Sequence, residues 1–167
     1  MQKFWPVIIS CLMGLNLWAE NPPAIKQVEI DNVVWYYKPE QAFKRIGEYF
    51  DGVERSGRKV IIRSDPESRE GLYFITRISE FAEDMPANCS FEVEIIRPDM
   101  KQPVSKIFPF PENCKSHREF WLGFTGDDVP ADEEAPVAWR VRLRSPDGTV
   151  VATRNSFLWS KPSADEN

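Results

Sequence analysis

The stretch "VAWRVRLRSPDGTV", residues 137–150, constrains the fold more than any other part of the chain. Trp139, Val141 and Leu143 alternate strictly with Arg140, Arg142 and Arg144 before the chain turns at Ser-Pro-Asp-Gly. Period-two alternation of this length describes a β-strand with one buried face, and the turn makes it half of a hairpin. A type I turn with Gly148 in the left-handed conformation pairs Ser145 with Thr149. Counting back sets Leu143 against Val151, Val141 against Thr153, Val137 against Phe157, and Arg140 against Arg154. That register opposes two like charges and turns Thr153 and Asn155 inward unless a bulge intervenes.

Further strands follow from the same pattern. Residues 25–38 are rich in β-branched and aromatic side chains, with a bend expected at Asp31-Asn32. Residues 60–63, 69–81, 89–98, 104–110, 119–125 and 149–159 are the others. Pro109 and Pro111 place the 104–110 strand at an edge or a strand end. Between Pro39 and Phe50, the spacing of Phe43, Ile46 and Phe50 fits a short amphipathic helix, while Gly47 favours an extended loop; both stay open. Seven or eight strands with almost no helix predict an all-β, immunoglobulin-like antiparallel sandwich. In that strand order the Glu92/Glu94 strand lies beside the Arg140/Arg142/Arg144 strand, and the five charges form a structural ladder. An acidic partner for the arginines is the competing use.

The ends set the compartment. Lys3, the nearly unbroken apolar run Phe4–Trp18 and the small Ala19 match a secretory signal peptide over 1–19. The run is too short for a comfortable bilayer span. Cys11 offers a minor lipoprotein alternative. Residues 20–24 are a polar lead, 25–160 one domain, and 161–167 a tail expected to be disordered. Loss of Lys3, the one charge in 1–19, takes the net charge from −5 to −6. An acidic exported domain is no general nucleic-acid binder, and no stable membrane span follows the signal. The two remaining cysteines, Cys89 and Cys114, read as a disulfide in an oxidising compartment, with two buried free thiols as the alternative.

The segments "QVEIDNVVWY", "YFITRISEFAEDMPANCSFEVEI", "FTGDDVPADEEAPVAWRVRL" and "DGTVVATRNSFLW" resemble an uncharacterised family of exported bacterial domains. That family is a domain of unknown function with an immunoglobulin-like sandwich. The resemblance spans 28–159 and implies the fold, but no active site. Asn88-Cys89-Ser90 replaces the family's usual glycine and phenylalanine, and 38–59 is an insertion.

No constellation points to chemistry. The single histidine, His117, lacks the partners of a zinc site or a Ser-His-Asp triad. Asp127, Asp128, Asp132, Glu133 and Glu134 are weak calcium candidates, with EF-hand spacing missing and Pro130 interrupting them. A carboxylate pair for glycoside hydrolysis cannot be picked from 26 acids without a cleft. No cofactor is expected. The expectation is a non-catalytic exported protein, a binding or envelope accessory module for an unknown protein or glycan partner. Two alternatives are a carbohydrate-binding sandwich using Trp35, Tyr36, Tyr37, Trp121 or Trp159, and a secreted hydrolase with an unrecognised carboxylate site. A third is a subunit that lends or accepts a strand through its long, apolar first strand.

Overall fold

A computed structural model describes residues 28–98, 100, 102–130 and 135–160. The expected signal peptide at 1–19, Cys11, the 20–24 lead, the 161–167 tail and Asp132, Glu133 and Glu134 lie outside the described residues. Eight strands form: β1 (Ile30–Lys38), β2 (Val60–Arg63), β3 (Gly71–Ile78), β4 (Ser90–Ile96), β5 (Val104–Pro109), β6 (Glu119–Thr125), β7 (Ala138–Arg144) and β8 (Val150–Asn155). They make two four-stranded sheets, β1-β3-β6-β2 and β5-β4-β7-β8.

With β2 set aside, the order is the immunoglobulin one, first-second-fifth in one sheet and fourth-third-sixth-seventh in the other. β2 occupies the free edge of β6 but runs parallel to it, whereas every other pairing is antiparallel. Its position is held by Thr125, fully buried at the end of β6. The Thr125 hydroxyl accepts from the Asp65 amide at 2.9 Å and donates to the Asp65 carbonyl at 2.8 Å. β5 is an edge strand, as its prolines require.

The alternating strands bury their apolar sides between the sheets. Phe91, Val93 and Ile95 of β4 and Val141 and Leu143 of β7 are fully buried against Leu72, Phe74, Phe120, Leu122 and Phe124. Aromatic rings fill the layer: Phe110 stacks on Phe120 at 4.8 Å, and Phe91 touches both at 5.1 Å. Such contacts add to area burial by roughly 0.5–1.5 kcal/mol each.

Two local features correct the sequence expectations. The first concerns the hairpin. The turn forms as expected, with the Ser145 amide bonded to the Thr149 carbonyl at 3.0 Å and Gly148 at φ 84°. Beyond it, Arg144 pairs with Val150 and Leu143 with Ala152, so Val151 is an extra residue in β8. This bulge moves the register by one: Arg140 faces Asn155, Arg142 faces Thr153, and the opposed Arg140–Arg154 pair does not form. Thr153 and Asn155 accordingly share the outer face with the arginines and are exposed. The bulge removes the opposition of two like charges and puts Thr153 and Asn155 outside, while Arg154 comes opposite Val141 and remains exposed at the sheet edge. A similar irregularity at Asp31 bends β1 between Ile30 and Asn32.

The second concerns residues 40–50. No continuous helix forms; a 3₁₀ turn at Glu40–Ala42 is followed by a four-residue α1, Glu48–Asp51, starting after Gly47 and ending at left-handed Gly52. Of the three apolar residues at helical spacing, only Phe43 is buried.

Candidate interaction surfaces

The sandwich has two outer faces, and the sequence dresses them in opposite ways. On the sheet of β4 and β7, Glu92 and Glu94 lie directly opposite Arg142 and Arg140. Arg140 Nε donates to Glu94 at 2.6 Å, Arg142 reaches Glu94 at 2.7 Å and Glu92 at 3.0 Å, and Arg144 reaches Glu92 at 2.5 Å. Burial works against ionisation of Glu92, but the hydrogen bond from Arg144 and the charges of Arg142 and Arg144 outweigh it, so its pKa lies below the ordinary value. Arg140 also lies over the Trp159 ring at 4.7 Å, and Arg144 caps the turn through the Gly148 carbonyl at 2.9 Å. The structure therefore brings all five ladder residues together, with the arginines already engaged within their own sheet.

The opposite face, on β3 and β6, carries rings instead. Tyr73 points outward from β3, and its ring crosses Gly123 of β6, where a Cβ would stand 2.5 Å from a ring carbon. Glycine at 123 is what lets the ring lie flat against the sheet. Trp121 stands beside it, and Phe43 from residues 39–59, the part of the expected 38–59 insertion that follows β1, covers both, with centroids 4.9 Å from Tyr73 and 6.4 Å from Trp121. Arg63, the last residue of β2, ties the layer together. Its Nε donates to the Tyr73 hydroxyl at 3.1 Å and its terminal nitrogens bind both oxygens of Glu54, while the Tyr73 hydroxyl donates to the Arg69 carbonyl at 2.7 Å. Burial pushes the Tyr73 phenol up, only partly offset by Arg63. Arg69 in turn binds Glu48 of α1 and, at 3.2 Å, Glu54.

The insertion is thus anchored on its inner side and open on its outer side. Ile46, Tyr49, Phe50 and Val53 are 81, 72, 86 and 54% exposed. Ile46, Tyr49 and Phe50 lie on or beside the one short helical turn, and Val53 follows it just past left-handed Gly52, so the four form an exposed apolar cluster within eight residues. Large exposed apolar patches mark contact sites more often than not. The helical spacing of Ile46 and Phe50 is visible in the sequence, but their exposure is not. The anchoring set Arg63, Arg69, Glu48 and Glu54 escapes sequence reasoning, because no spacing pattern pairs the two acids of the 39–59 segment with the arginines of β2 and of the connection after it. Arg63, a lone charge ending the apolar run VIIR, is the one local hint.

The remaining candidates fall elsewhere. Asp128 pairs with Lys106 of β5 at 2.6 Å; burial raises its pKa, but the bonds from Lys106 and Ser64 prevail and hold it low. Among the described residues no group of three His, Cys, Asp or Glu side chains is arranged for a metal ion. Cys89 and Cys114 are both buried and are free thiols, so the structure departs from the expected disulfide. They sit within the apolar core, where burial pushes both thiols up, in Cys114 against a smaller opposing effect of a backbone hydrogen bond, and so favours the protonated form. The His117 amide bonds the Cys114 carbonyl at 2.9 Å, and its buried Nδ1 has no partner in the structure.

The rings considered for glycan contact occupy separate surroundings. Trp35 packs against the core, Trp121 is covered by the insertion with Lys59 over its ring at 3.9 Å, and Tyr37 donates to Glu70 at 2.6 Å. Tyr36 is half exposed beneath Lys38, and Trp159 lies beneath Arg140. Among the described residues no helix is long and apolar enough to cross a membrane.

Fold and surfaces together define an all-β sandwich with an ionic ladder on one outer face and the β1–β2 connection built over the other. Comparisons with protein-family models, with curated proteins and with solved structures each found no match.

Proposed function

We propose that this chain is an exported, non-catalytic β-sandwich serving as a binding or envelope accessory module, and that its contact surface is the 39–59 insertion. The observation that carries this is the exposure of Ile46, Tyr49, Phe50 and Val53 on a segment fastened from beneath by Phe43, Glu48 and Glu54. An apolar cluster held rigidly in water is costly unless something covers it. Export rests on the 1–19 pattern and on the resemblance to the exported domain family. The arginine ladder supports the same choice by default, since its cations already hold Glu92 and Glu94.

A photo-crosslinking residue placed at Phe50, and separately at Thr153 beside the ladder, tests the proposal in cells that make the protein. Adducts from position 50 and none from position 153 are expected. Equal yields from both, or none from either, would overturn it. A hydrolase screen of the purified chain addresses the enzymatic alternative: turnover that vanishes in His117→Ala would sink the non-catalytic assignment.

A further inference from the structure

We infer that the insertion docks on an anionic lipid surface, seating Ile46, Tyr49, Phe50 and Val53 at the headgroup boundary; this rests on the insertion being the contact surface.

Charge is what selects this occupant. Residues 39–59 hold four acids and five bases. Each acid is engaged: Glu40 by Lys44 at 2.8 Å, Asp51 by Arg55 at 2.5 Å, Glu54 by Arg63 at 2.5 Å, and Glu48 by Arg69. Two of these four acids are neutralised by arginines from outside the segment. Three exposed cations are consequently left over, Arg45, Arg58 and Lys59, with no carboxylate partner among the described residues. The chain as a whole carries −5. A positive excess therefore coincides with the apolar cluster on an otherwise acidic molecule.

The local packing keeps the two features together. A Cβ on Gly57 would stand 2.4 Å from the Arg45 guanidinium, and one on Gly47 would stand 3.2 Å from that of Arg55. The 45–47 and 55–57 segments thus lie side by side, with Arg45 next to both Ile46 and the Arg58 turn. Aromatic and aliphatic side chains bordered by Lys and Arg are the composition of interfacial anchors. The acidic remainder is repelled by the same surface, which orients the docked molecule. A second copy is disfavoured, because a two-fold contact over this cluster would oppose two sets of three uncompensated cations.

Sedimentation of the chain with sucrose-loaded vesicles tests the inference, using phosphatidylglycerol with phosphatidylcholine in equal parts against phosphatidylcholine alone. Binding to the anionic vesicles only, fading with added salt, is expected. Tyr49→Ser with Phe50→Ser should lower the partition coefficient by about tenfold or more, and Arg58→Ala by about fivefold. These positions are exposed, so circular dichroism should show the folded spectrum throughout. Failure to bind either vesicle, equal binding to both, or binding indifferent to these variants would overturn the inference. So would a dimer in analytical ultracentrifugation that Phe50→Ser dissociates. Protein adducts from position 50 without vesicle binding would refute the lipid occupant and leave the contact surface standing; neither signal would remove both.

Discussion

The two outer faces of this sandwich solve one problem differently. Each sheet leaves a row of side chains facing away from the core. On β4 and β7 the row is ionic: each of three arginines at period two contacts one or both of two glutamates, which leaves the ladder with one positive charge in excess. On β3 and β6 the row is aromatic and cannot be left wet, so the chain spends an insertion covering Tyr73 and Trp121 with Phe43. The cover buries one apolar side chain and exposes four others. On one face each arginine has a carboxylate beside it, whereas the covered face transfers its apolar exposure outward to the cover.

The largest test of this contrast removes the cover's anchor. Phe43→Ala should cost about 3 kcal/mol, the lower range for a buried phenylalanine, because Tyr73 and Trp121 lose their shared neighbour. Hydrogen exchange should then rise over the insertion while β4 and β7 amides stay protected. Even loss of protection across both sheets would mean that the faces form one cooperative unit.

A smaller effect probes the ladder. Arg142→Glu sets a third acid beside Glu92 and Glu94 and should cost about 1–2 kcal/mol, above the usual value for exposed pairs because these side chains are mostly buried. Glu94→Arg in the same chain should recover part of it. Urea midpoints of the two single variants and the double measure the coupling; strictly additive losses would mean that the pairs contribute nothing as pairs.

The smallest is a pH effect. Glu92 titrates below its ordinary 4.5 in the folded chain, since its bonds to arginine outweigh the effect of burial. Its contribution is therefore complete above about 4.5 and fades as pH falls through the lowered folded value. Glu92→Gln should flatten the acid limb of stability by less than about 1 kcal/mol. Urea midpoints at stepped pH values check this, and an unchanged slope would remove Glu92 from the acid response.

Much of this architecture is local in origin and hence legible along the chain. The 137–144 alternation, the Pro-Asp-Gly turn and the Phe91-Val93-Ile95 stripe each follow from a two-residue period, and two such strands beside each other make the Glu–Arg ladder nearly unavoidable. What the chain alone left open depends on which partners meet in space. Val151 bulges because of what Thr153, Asn155 and Arg154 would meet across the hairpin. β2 runs parallel to β6 because Thr125 and Ser64 hold its end. Cys89 and Cys114 are free thiols in an apolar layer, which spacing cannot foretell. Ile46 and Phe50 have the period of a buried helix and do share one short turn, but Arg63 and Arg69 draw Glu54 and Glu48 inward and leave both apolar side chains outside. Sequence period states which residues share a side; only the competition among partners brought together by the fold decides which side is covered.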